Sequence, residues 1–278
     1  MKILVALLLT TGIAVAETKV TVQPKTAHPG DAVLVTVTGA TETPKGDAGG
    51  QKLQFFRARG GYQAVFAVPL TQDDPISVEI DSAKKPARVT IAAKTFPESK
   101  VAVEEAYANP PSGDRTTIEA DNKAILTALA KGDGQAQFTT GFRRPAGATT
   151  SPFGEWRTFN EGHKSQHLGI DVVAKEGSPV KAINAGTVAH VGQGFLAGNL
   201  IVIAHGGGIS SAYFHLSEMS VAAGDTVEAG AVIGKAGKTG RATGPHLHLS
   251  VRVPGGFVNP ASFFKLPIKP APARAASR

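Results

Sequence analysis

Short runs of alternating apolar and polar residues, each closed by glycine, proline or aspartate, recur along this chain and restrict it to a mainly β architecture. Lys19-Val20-Thr21-Val22, Ala32-Val33-Leu34-Val35-Thr36-Val37 and Ile76-Ser77-Val78-Glu79-Ile80 all read with strand period two. His28-Pro29-Gly30-Asp31 is a chain reversal before the second of them. About six such runs between residues 17 and 97 predict a small β-sandwich. Nothing in it carries chemistry, which leaves a spacer or targeting module as the expectation.

Residues 98–137 differ in character. Pro110-Pro111-Ser112-Gly113 breaks the chain and Asp114 can cap a helix. Ile118, Ile125, Leu126 and Leu129 then recur at helical spacing up to Gly132-Asp133-Gly134. This predicts a helical linker whose apolar stripe packs. From residue 138 to 266 the sequence is again glycine-punctuated and strand-like, as in Asn199-Leu200-Ile201-Val202-Ile203, and predicts a compact antiparallel β domain. The tail, residues 267–278, is expected to be disordered.

The N-terminus reads as a secretory signal. Lys2 supplies the positive start, Ile3 to Leu9 an apolar run too short to span a bilayer, and Ala14-Val15-Ala16 a small-residue cleavage site. Export with cleavage near Ala16 to the periplasm or beyond follows, without a stable membrane anchor. The chain has no cysteine, which excludes thiolate metal sites, disulfides and a cysteine nucleophile. The formal charge of +7 becomes +6 once Lys2 leaves with the signal. No run of Lys and Arg is interleaved with aromatics, so nucleic acid is not an expected partner. Oligomeric state is not encoded in any feature of the sequence.

Of the eight histidines, all but His28 fall between residues 163 and 248. In His246-Leu247-His248-Leu249-Ser250-Val251 the alternation puts both imidazoles on one strand face. Such a pair serves either a solvated polar face or a metal or catalytic site. In His167-Leu168-Gly169-Ile170-Asp171 the ends of a straight strand would lie about 13 Å apart, too far for one metal. The chain must bend there, and Gly169 permits it. Tyr213 and His215 would share a strand face. His163 reads as a surface residue, and His190 and His205 as hydrogen-bonded structural histidines beside apolar strands.

Over residues 142–266 the chain resembles the lysostaphin-type (LytM-like) zinc metallopeptidases, which carry an H-x-x-x-D motif and a later H-x-H motif. The resemblance rests on Ser151-Pro152-Phe153-Gly154, His167 to Asp171, Tyr213-Phe214-His215-Leu216-Ser217, Val227 to Gly234, and Gly237 to His248, in that order. It implies that His167, Asp171 and His248 are the ligands of one zinc ion per chain. It also implies that His215 and His246 are catalytic. Tyr213, in the same motif as His215, is expected to bind substrate. Ser250 stands where many members carry an acidic residue.

Two imidazoles and one carboxylate leave an open fourth position, the catalytic rather than the structural arrangement. The resemblance implies a peptidoglycan endopeptidase; the alternative is a non-catalytic wall-binding or regulatory module on the same fold. A further expectation, alongside that of a plain spacer, is that the N-terminal part or the loop Arg157-Thr158-Phe159-Asn160 partly covers the cleft.

Overall fold

Alternation between residues 17 and 97 resolves into two facing sheets. The structure is a computed structural model describing residues 17–272, so the signal sequence lies outside the described residues. One sheet orders the strands Lys19–Gln23, Ala32–Thr38, Gly61–Ala67 and Phe56–Ala58. The other orders Thr26–Ala27, Ala87–Ile91, Ile76–Ile80, Gly46–Ala48 and Gln51–Lys52. Val33, Val35, Val37 and Phe66 from the first meet Ile76, Val78 and Val89 from the second. This is the expected sandwich.

The first sheet is buried on both faces. Ala32, Leu34, Val65 and Ala67, on the side away from the sandwich core, join a cluster containing Ile201, Tyr213, Leu249 and Phe263. Phe56 meets Phe138 edge-on at 5.0 Å. Backbone contacts seal the junction: Ala67 N donates to Pro254 O at 2.9 Å and Asn259 N to Gly30 O at 2.7 Å. A nearly continuous apolar run such as Ala32-Val33-Leu34-Val35 suits a strand covered on both sides.

Past the sandwich, Glu98–Val101 pairs in parallel with Trp156–Phe159, which pairs antiparallel with Lys164–Gln166. The helix Ser112–Ala130 follows, with Asp114 in its first turn. Ile125, Ala128 and Leu129 pack on Leu200, Val202 and Ala212.

The C-terminal sheet runs in the order Thr149–Ser151, Ile170–Val173, His246–Val253, Ile209–Met219, Gly198–Gly206, Gly186–Gly194 and Thr226–Val227, all antiparallel. Its two faces divide the labour. Ile201, Tyr213 and Leu249 face the core shared with the sandwich. Val202, Ala212 and Phe214 face the helix, and the functional side chains extend that second face.

The tail departs from expectation over residues 267–272. Ile268 is buried, Arg59 N donates to Lys269 O, and Ala271 N donates to Arg57 O. The segment extends the edge strand Phe56–Ala58, where free backbone groups accept a partner. Among the described residues no helix is long and apolar enough to cross a membrane.

Candidate metal centre

His246–Val253 alternates as a strand, so His246 and His248 share one face while Leu247 and Leu249 are buried on the other. Its neighbour sets Asp171 directly opposite His248, which brings the two side chains together. His167 reaches the same point because the chain bends between the strands Lys164–Gln166 and Ile170–Val173. Gly169 sits at this bend, and a Cβ there would come within 2.6 Å of His248 Nε2 and Leu249 O. Glycine is required for this close approach.

His167 Nε2 lies 3.1 Å from Asp171 Oδ1 and 2.8 Å from His248 Nδ1, and the last two atoms are 2.8 Å apart. Among the described residues these form a three-donor cluster suited to a metal ion. The outer nitrogens fix the tautomers. His167 Nδ1 donates to Pro152 O at 2.8 Å, and His248 Nε2 donates to Ser250 Oγ at 3.1 Å, which itself donates to Leu168 O at 2.7 Å. Both inner nitrogens therefore present lone pairs to each other at 2.8 Å, a repulsive arrangement unless a cation or proton is shared. Ligand bonds of about 2.0–2.2 Å in a tetrahedral site space donors about 3.3 Å apart, a few tenths beyond the distances here. The donor set fits such an ion after a small outward shift.

Burial pushes the Asp171 carboxyl upward, but the two imidazoles outweigh this and hold it well below the ordinary carboxylate range. Its second oxygen accepts from Arg157 Nη2 at 2.7 Å, and Arg157 Nε donates to Glu155 at 2.9 Å. Burial lowers His248 to about 4, which favours the neutral ligand form.

His215 arrives by a local irregularity. Phe214 pairs with His248 and shares its face, so regular alternation would turn His215 to the core with Tyr213. Instead His215 has φ 61 and the pairing with Gly198–Gly206 shifts register at this point. The bulge swings the ring back to the cleft, 5.0 Å from the His246 ring. His215 Nδ1 donates to Thr239 O and His246 Nδ1 to Gly244 O, each at 2.8 Å. Each Nε2 is left as an acceptor, and that of His246 lies 3.6 Å from Asp171 Oδ1. Burial and the neighbouring imidazoles lower His215 to about 3, keeping it neutral.

All five residues line one cleft of about 670 Å³. Its walls include Lys100 and Val101 from the paired strand, Leu126 from the helix, Phe214, and Phe159 with Arg241. The helical linker is thus a wall of the cleft, as is the strand Trp156–Phe159, whose pairing on both sides makes Arg157 to Phe159 strand rather than the expected loop.

Tyr213 needs correction as a substrate-binding residue. It is fully buried on the opposite face, its hydroxyl accepting from Ile183 N at 2.8 Å and bonded to Ser211 Oγ at 3.0 Å. The bulge at His215 is the reason that Tyr213 and His215 do not share a face. His205 is a satisfied structural histidine, bonded to Ala185 O and Ser211 Oγ, each at 2.8 Å. His163 is exposed. His190 is half-buried beside the helix, and its ring has no hydrogen-bond partner among the described residues, contrary to expectation. Sequence patterns gave no role to Arg241, no stacking of it on Phe159 and no pairing of Arg157 with Asp171. These contacts join separate elements, where spacing in sequence carries no signal.

Residues 165–260 match the model of Peptidase family M23. The DD-carboxypeptidase/endopeptidase Mpg of Neisseria meningitidis is 46% identical over 96 residues, covering 34% of this chain and 22% of Mpg. The peptidoglycan DD-endopeptidase ShyA of Vibrio cholerae is 42% identical over 93 residues, covering 34% of this chain and 22% of ShyA. The match to this chain therefore spans about a fifth of the length of these curated relatives. A solved structure from Pseudomonas aeruginosa, described under peptidase M23, superposes with a TM-score of 0.67 at 28% identity over 85% of this chain and 94% of that one. That last likeness extends across the sandwich and the helix as well.

Proposed function

Residues 165–260 form a Peptidase family M23 domain, and on that premise we propose that the protein is an exported zinc endopeptidase that hydrolyses peptide bonds in the stem peptides or cross-links of peptidoglycan. The observation that carries the reading is the convergence of His167 Nε2, Asp171 Oδ1 and His248 Nδ1 within 4.8 Å of one another, at the floor of a cleft. Relatives named as endopeptidases of peptidoglycan support the substrate, and the leader sequence supports periplasmic or secreted action. The complete donor set disfavours a non-catalytic module on this fold.

His167, Asp171 and His248 would hold one zinc ion, with Arg157 and Ser250 fixing the orientation of Asp171 and His248. When bound, zinc supplies Lewis acidity that polarises the scissile carbonyl and makes a water nucleophilic near neutral pH. The chain's own residues handle the protons. His215 and His246 each present an Nε2 lone pair to the cleft, because a backbone carbonyl occupies each Nδ1–H. Either can take a proton from the attacking water and return it to the leaving amine. The helix and the strand Glu98–Val101 confine an extended peptide against these groups.

The test is digestion of purified peptidoglycan by the chain starting at Glu17, with products identified by mass spectrometry. Peptide fragments carrying new amine termini, abolished by a chelator and restored by zinc, are expected. Intact wall under all conditions, or cleavage of casein without cleavage of wall, would reject the assignment.

A further inference from the structure

Two guanidinium groups line the cleft in contrasting states. Arg157 is ion-paired with both Glu155 and Asp171. Arg241 has no carboxylate within ion-pair distance and no side-chain hydrogen bond among the described residues. Its guanidinium lies flat against Phe159, 3.7 Å from the ring centroid, and its backbone N donates to Leu196 O at 2.9 Å. The loop is therefore fixed and the group is held by its π-face, which leaves the N–H edges available. Arg241 is only partly buried and lines the cleft, so its guanidinium can be met from that side. Burial, with Arg157 nearby, draws its pKa down to about 10, and it stays charged at neutral pH. A partly desolvated cation with no counter-charge in a substrate cleft is suited to an anion carried by the substrate.

Its position narrows the choice. Arg157 and Phe159 are two apart on the strand Trp156–Phe159 and point to the same side, about 7 Å apart along the backbone. Arg157 marks the metal ligand Asp171, so Phe159 and Arg241 mark a place one or two residues along an extended peptide. Resting on the endopeptidase reading above, we propose that Arg241 is a substrate anchor that takes a free carboxylate on a residue flanking the scissile bond, and so selects acidic wall peptides over neutral ones. The guanidinium edge accepts a carboxylate through two parallel N–H···O bonds.

The experiment uses a soluble cross-linked wall peptide bearing a free carboxylate on the residue next to the scissile bond, and its twin amidated at that carboxylate. Wild type, Arg241→Gln and Arg241→Lys are compared by kcat/KM, with thermal unfolding as a check on folding. Wild type is expected to prefer the carboxylate peptide by about 10- to 100-fold, mainly in KM. Arg241→Gln brings that ratio close to one, and Arg241→Lys, which keeps the charge but not the fork, falls between. A ratio unaltered in Arg241→Gln, or absent in wild type, overturns the anchor. If Arg241→Gln does not fold, the ratio in Arg241→Lys decides: reduced supports the anchor, unaltered overturns it. If wild type cuts neither peptide, the endopeptidase reading fails. Equilibrium binding of the two peptides to wild type and Arg241→Gln then decides the anchor: an Arg241-dependent preference supports it, and equal binding overturns it.

Discussion

The strand Ile209–Met219 carries polar residues to both faces of its sheet, and the two clusters behave oppositely. On the core face, Ser211 and Tyr213 meet His205 in a chain where each polar atom has a partner. On the cleft face, His215 joins His167, His246 and His248, whose outer nitrogens are all satisfied, while the inner nitrogens of His167 and His248 converge beside Asp171 Oδ1 without a donor. Both clusters contain buried histidine. What separates structure from function is whether the lone pairs are spent or aimed at a common point.

The sharpest way to break this comparison is to remove one of the converging donors. His248→Ala should lose bound zinc and reduce wall-peptide turnover to background, by more than about 10⁴-fold. Retained activity would show that the cleft cluster is as structural as the core one. His246→Ala should keep zinc and fold while turnover falls roughly 10² to 10⁴-fold. Loss of the metal in that variant would place His246 among the ligands instead.

The core cluster makes the reverse prediction, on stability. Burial depresses His205 to about 4 from an ordinary 6.5, so the unfolded chain takes up the proton first. Its contribution is full above about pH 6.5 and is lost as pH falls through about 4, amounting to about 3 kcal/mol. Urea unfolding of metal-free protein at pH 7.5 and pH 4 measures this. His205→Gln should flatten the difference by about that amount, and identical pH dependence in both proteins would refute the assignment. The smallest effect belongs to Ser250→Ala, which frees His248 Nε2 from its orienting hydroxyl. Zinc affinity should fall about 10- to 100-fold with the fold retained. Unchanged affinity in a competition titration would show that Ser250 does not position the ligand.

Much of the cleft face was legible in the sequence because it depends on local periodicity. Alternation put His246 and His248 on one face, and the length of a straight strand required the bend that Gly169 supplies. The bulge at His215 was not legible, since a register shift arises from pairing with a distant strand and leaves no mark on the Tyr213-Phe214-His215 pattern. Arg157 and Arg241 were hidden for a similar reason: their partners Asp171 and Phe159 belong to other elements. Burial of the Ala32–Thr38 strand on both faces, and packing of residues 267–272 onto the sandwich edge, also reflect contacts between distant segments.

Zinc content tests the central claim most directly. Elemental analysis of the chain starting at Glu17, purified without added metal, should give about one zinc per chain. The same measurement on His248→Ala should give a small fraction of that. Zinc well below one equivalent in the wild-type chain, or equal zinc in both proteins, would contradict the assignment of His167, Asp171 and His248 as a metal centre.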